Sequence, residues 1–143
     1  MRLIVLVVGL GLMFSAMNVA SAQSVYTPKR GSAERTAILD AVRPILESVT
    51  RGQVVFVVSR MSVLGDWAFI QVDPQRPGGG AVDLSRTGFG KEIEYMDGLT
   101  THALLFRRQG IWRLIDRVIG PTDVAYLHWP DVYLAPRAIF GLD

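Results

Sequence analysis

Two runs of alternating apolar residues meet at Gly65-Asp66, and no other feature constrains the fold of this chain as tightly. Val54 to Leu64 reads Val-Val-Phe-Val-Val-Ser-Arg-Met-Ser-Val-Leu, and Trp67 to Asp73 reads Trp-Ala-Phe-Ile-Gln-Val-Asp. Both are rich in β-branched and aromatic side chains, and glycine at the first turn position suits a type II′ hairpin. That turn pairs Leu64 with Trp67, and the faces follow by counting. One face collects Val55, Val57, Met61 and Val63 with Ala68, Ile70 and Val72. It is nearly all apolar and is expected to be core, because side chains on a strand alternate strictly between faces. The other face collects Phe56, Val58, Arg60 and Leu64 with Trp67, Phe69, Gln71 and Asp73. It is mixed, so it is either partly wet or a binding surface.

A second hairpin is expected around Gln109-Gly110, joining Leu99–Arg108 to Ile111–Gly120. One of its faces holds Thr101, Ala103, Leu105, Trp112, Leu114, Asp116 and Val118; the other holds His102, Leu104, Phe106, Arg113, Ile115 and Arg117. A one-residue bulge would break this partition. Ahead of both hairpins, Ile38, Ala41, Val42, Ile45, Leu46 and Val49 recur at helical spacing. Ser32 can cap this helix, Glu34 favours its positive end, and Gly52 stops it. Pro44 sits inside the pattern and is expected to bend the helix, or to divide it in two at Arg43. Pro74 to Gly98 is a long, polar, glycine-rich stretch in which Lys91–Met96 is the one candidate strand; loops of that length are often functional. Pro121–Trp129 reads as a short helix or turn, and the tail from Pro130 to Asp143 stays apolar enough to dock on the core.

Together these elements predict an α+β fold: one long N-terminal helix packed on an antiparallel meander sheet of about four strands, with a short C-terminal helix. The start of the chain reads differently. Arg2, the uncharged run Leu3–Phe14 and the small residues of Ala20-Ser21-Ala22 follow the order of a cleavable secretory signal. The competing reading is an uncleaved membrane anchor, against which stand the polar Ser15, Asn18, Ser21 and Gln23 in its second half. The expected organisation is therefore a signal peptide at 1–22, a flexible leader at 23–31 and one domain at 32–143. Export points to the periplasm or the medium, and the chain has no membrane role after cleavage.

The 121 residues beyond the signal contain no cysteine, which excludes disulfides, thiol chemistry and lipidation at a cysteine. Losing Arg2 leaves 14 Lys and Arg against 13 Asp and Glu, a net charge near +1. With no basic stripe interleaved by aromatics, nucleic acid is not an expected partner. The two histidines, His102 and His128, lack the ligand set a zinc site needs, so neither metal nor cofactor is expected. Glu92, Glu94 and Asp97 form the densest acidic group but lack a calcium-loop pattern; a solvated edge is the plainer reading. The glycines of 77–80 and 88–91 complete no phosphate-loop fingerprint, and no G-x-S-x-G elbow is present.

What remains is a short set of candidates. Asp116 stands on a face that otherwise reads as core, where a carboxylate must be paired or shifted in pKa. It is a candidate acid or base, with His102 and Tyr95 as companions; a salt bridge to a nearby arginine is the plain alternative. Trp67, Phe69, Trp112 and, on the long loop, Arg76 are candidate binding residues, although aromatics of this kind more often simply fill a core.

The segments Gly31-Ser32, Arg35, Ala37–Pro44, Gly65–Phe69, Pro74–Pro77 and Gly120–Ala125 together resemble a family of small exported bacterial proteins with no assigned activity. Separately, the order helix-then-meander is similar to cystatin or NTF2-like folds. Export, the missing catalytic sets and the long glycine-rich loop point to a non-catalytic envelope module that binds an unknown envelope protein or a small ligand. The second resemblance implies a pocket, and with it small-molecule binding or a simple enzymatic activity. Fold likeness carries no function by itself.

Overall fold

Helix α1 (Ala33–Thr50) begins where the sequence places it. The Ser32 side chain accepts from the Arg35 N–H at 3.2 Å, and Glu34 sits in the first turn. The helix runs unbroken through Pro44. Its end is made differently from the expectation. Arg51, not Gly52, adopts the left-handed conformation (φ 56°), and the Gly52 N–H closes on Glu47 O at 3.1 Å. Gly52 leaves room for a neighbouring side chain instead: a Cβ there would lie 2.8 Å from Nη1 of Arg76, which would have to shift.

The computed structural model describes residues 23–143, so the expected signal peptide lies outside the described residues. After α1 come β1 (Val55–Leu64), β2 (Trp67–Gln75), β3 (Thr101–Arg108), β4 (Ile111–Ile119) and the short α2 (Trp129–Tyr133). The strands form one antiparallel meander in the order β1-β2-β3-β4. The α+β architecture is therefore the one the sequence predicts. Leu64 pairs with Trp67 and Arg108 with Ile111, so both two-residue turns stand where the glycines put them. At Gln109-Gly110 both residues have positive φ (52° and 77°), the requirement of a type I′ turn.

Two bulges reassign the faces. In β1, Val58 pairs with Val72 and Arg60 with Gln71, which leaves Ser59 as an extra residue. Everything before it is turned over. Phe56 and Val58 pack toward the helix, while Val55 and Val57, expected in the core, are 40% and 48% exposed. In β4, Leu105 pairs with Leu114 and Leu104 with Asp116, leaving Ile115 extra and carrying Asp116 off the helix face. One inserted residue shifts a period-two pattern by one position, so every side chain beyond it changes face.

The sheet is covered on both sides. Ile38, Val42 and Leu46 of α1 are fully buried against Met61, Val63, Ala68, Ile70, Val72, Ala103, Leu105 and Trp112. Each fully buried aliphatic side chain contributes about 1.5–3 kcal/mol relative to exposure. The opposite face is sealed by the C-terminal segment, where Tyr126, Trp129, Ala135, Ile139 and Phe140 close over Phe69 and Leu104. The apolar tail thus docks as its composition requires. One local reading fails, and a second holds only in part. Lys91–Met96 is no strand but part of a 3-10 turn, Gly90–Tyr95. Pro121 starts no helix; the 3-10 turn Ala125–His128 leads into α2, with Pro130 near that helix's start.

The segment before α1 touches β1. Tyr26 and Val63 exchange both backbone hydrogen bonds (3.0 and 2.8 Å), and the Thr27 hydroxyl donates to Met61 O at 2.8 Å. The other half of the β1 edge, Val55–Val58, has no strand beside it among the described residues.

Candidate functional site

The bulge at Ile115 decides what Asp116 can do. Its carboxylate does not enter the helix-side core, where Leu105, Leu114 and Trp112 fill the space. It lies on the tail side, half-buried. There it accepts a 2.5 Å hydrogen bond from the Tyr133 hydroxyl and another, at 2.7 Å, from the Arg117 N–H. The neighbouring carboxylate holds the Tyr133 phenol above its usual range. Asp116 is thus a structural acceptor that ties α2 to β4 by a charge-assisted hydrogen bond.

His102 is buried on the same face, two pairs along from Asp116. Its Nε2 meets the Gln71 side-chain amide at 3.1 Å, and its Nδ1 has no partner among the described residues. Tyr126 and Phe69 stand edge-on to the ring. Burial lowers the pKa of the imidazole, and the negative charge of Asp73 offsets this in part. Burial thus disfavours the charged form of the ring, and little of it is open to solvent. Tyr95 lies on the 3-10 turn of the long loop, 79% exposed. No hydrogen bond joins any two of Asp116, His102 and Tyr95 among the described residues.

Of the candidate binding residues, Phe69 and Trp112 are buried in the two cores. Trp67 is half-buried, edge-on to Phe106 with centroids 4.7 Å apart. Arg76 lies across the end of α1: Nη2 donates to Thr50 O, and Nη1 donates to Gln53 O at 3.0 Å and to the Thr50 hydroxyl at 3.4 Å. It satisfies carbonyls that a helix end otherwise leaves open. Among the described residues no three His, Asp or Glu are grouped to hold a metal ion, and no helix is long and apolar enough to cross a membrane.

Beside a groove of about 470 Å³ lined in part by the candidate Trp67, two further grooves are open, and of the candidates Arg76 lines the larger of them. One, of about 370 Å³, runs beside the open half of β1 and is lined by Arg30, Arg35, Leu39, Phe56, Val57 and Val58. Arg35 donates to Pro28 O at 3.2 Å. The ion pairs among the described residues join Arg43 to Asp40 and Arg107 to Glu34 and Asp66, so neither groove arginine faces a carboxylate partner. The second groove, about 780 Å³, lies between the end of α1 and the long loop. No motif announces either, because each is assembled from single residues of separate segments. The available signals were the uncharged run Val55-Phe56-Val57-Val58, which reads equally well as a core strand, and the long loop with Arg76. Comparison with protein-family models, with curated proteins and with solved structures finds no match to this chain. The reading of these surfaces therefore rests on their own chemistry.

Proposed function

We propose that this chain is an exported, non-catalytic interaction module of the cell envelope, which takes up an extended, acidic segment of a partner protein along the open half of β1. The signal-like N-terminus supports export to the periplasm. The observation that carries the binding mode is the edge itself. Val55–Val58 is an uncharged, β-branched stretch on an edge strand, with Val55 and Val57 exposed. Edge strands normally carry lysine, proline or a cover, because unpaired backbone groups invite another strand. Here the cover stops at Met61–Val63, where Tyr26 and Thr27 lie. A strand added beside Val55–Val58 would gain main-chain hydrogen bonds and drop alternate side chains into the groove under Arg30 and Arg35. The two guanidinium groups favour carboxylates in that strand.

The alternative, a small-molecule or enzymatic pocket under the helix, finds no support. That space is packed, Asp116 accepts from Tyr133 on the other face of the sheet, and Tyr95 stands exposed on the long loop.

The test uses a fluorescent peptide, Thr-Val-Glu-Val-Glu-Val-Thr, with the protein lacking residues 1–22. Saturable binding is expected, lost in Val57→Lys and weakened severalfold in Arg30→Gln, with both variants melting at the parent's temperature. A parent that ignores the peptide, or a Val57→Lys protein that binds it equally well, overturns the proposal.

A further inference from the structure

The larger groove carries an independent inference. It is lined by Thr50, Arg51, Gly52 and Gln53 at the end of α1, and by Arg76, Pro77, Ala81, Asp83, Ser85 and Arg86 of the long loop. Three arginines and a single acidic residue, Asp83, therefore line one concavity. That carboxylate is engaged locally: Asp83 accepts from the Ser85 N–H at 3.0 Å and from the Ser85 hydroxyl at 2.6 Å. None of the three arginines forms an ion pair among the described residues.

Like charges gathered around one cavity repel, and side chains on a free surface ordinarily spread apart. Here two of the three are placed by the fold. Arg76 is pinned by Thr50 and Gln53, against a Gly52 that leaves room for its guanidinium. Arg51 is fixed at its backbone by the left-handed turn that ends α1. Asp83 caps the 3-10 turn Leu84–Arg86, which holds the backbone of Arg86 at the groove. The carbonyls at the end of the helix would repel an anion, but Arg76 already covers those of Thr50 and Gln53.

We infer that this groove binds a small molecule carrying a compact group of two or more negative charges, an organic phosphate or a polycarboxylate, held between Arg51, Arg76 and Arg86. Arginine forks match both oxyanions in geometry. The volume lies in the range of ligand pockets and exceeds what a lone anion fills. The Pro74–Gly98 stretch then has a role beyond connection, supplying one wall of the site.

The experiment is an amide-resolved NMR titration of the protein lacking residues 1–22, at low ionic strength, with inorganic pyrophosphate and separately with citrate. Saturable shifts are expected at the amides of 50–53 and 81–86, with a Kd of about 1 mM or tighter for at least one probe. The variant Arg51→Gln/Arg86→Gln, whose side chains hold no part of the fold, is expected to lose about tenfold in affinity at an unchanged melting temperature. Arg108→Gln/Arg113→Gln, equal in charge change but exposed and outside the grooves, is expected to bind like the parent. A preference between the probes assigns the ligand as phosphate or carboxylate. Absence of saturable binding by both probes overturns the inference, as does an equal loss in the two double variants.

Discussion

The two faces of the sheet bury comparable sets of side chains by different means. The helix face is mostly aliphatic, Trp112 apart, and closed by one regular element: Ile38, Val42 and Leu46 drop onto Met61, Val63, Ile70, Val72 and Leu105. The polar ties of α1, Arg43 to Val54 O and Glu34 to Arg107, come from partly exposed side chains. The tail face is aromatic and closed by a segment with little regular structure. Phe69 has Tyr126 and Phe140 at 4.7 and 4.9 Å, and Trp129 edge-on. It also needs polar fastenings. Arg60 donates to Phe140 O and Ile139 O at 3.0 and 3.1 Å while its guanidinium stacks on Phe69, and Tyr133 donates to Asp116. A helix satisfies its own backbone before it packs, whereas an irregular cover has carbonyls that the sheet must satisfy for it. The difference teaches why a charged residue stands in the middle of β1 and a carboxylate in β4.

Four measurements would break or sharpen that contrast. The largest effect is expected at Phe69 and Trp129: either residue changed to Ala should cost about 3–5 kcal/mol in urea unfolding, in one transition that also melts α1. A separate early transition would make the tail an appendage instead of a second core. Leu46→Ala on the helix face should cost about 2–5 kcal/mol, the range for a buried leucine. Arg60→Met keeps the length of the side chain but strands two carbonyls, and about 1–3 kcal/mol is expected. An unchanged unfolding midpoint would show the fastening to be dispensable.

The smallest effect is a pH dependence. Burial depresses the folded-state pKa of His102 below its unfolded value, so the unfolded chain takes up a proton that the folded chain refuses. This stability is fully present above about pH 7 and is lost as the pH falls through about 6.5, the ordinary histidine value. Urea midpoints of the parent minus those of His102→Gln, compared at pH 7.5 and pH 5.5, should fall toward the acid side. A flat difference would mean that the ring is protonated in place.

Legibility followed periodicity. Glycine turns and the helical spacing of Ile38, Val42 and Leu46 are local signals, and they placed α1 and both hairpins. The bulges were not legible. Ser59 and Ile115 resemble ordinary strand residues, and only pairing with Val72–Gln71 and Leu105–Leu104 makes them extra. From those two residues came the misplacement of Val55, Val57 and Asp116. Arg76 was singled out as a binding residue, and its attachment to the end of α1 could not be read from a position 26 residues away in the chain.

The sequence by itself determined the helix and the two hairpins with their turns, because each depends on residues within a few places of one another; the β2–β3 pairing that joins the hairpins into one sheet spans the long loop. Glycine conformation and side-chain period act at that range. Tertiary structure alone decided which residues each face of the sheet buries, which half of β1 stays open and where Arg51, Arg76 and Arg86 meet. Those outcomes depend on register and on docking between distant segments, where one extra residue turns a strand over without altering any local preference.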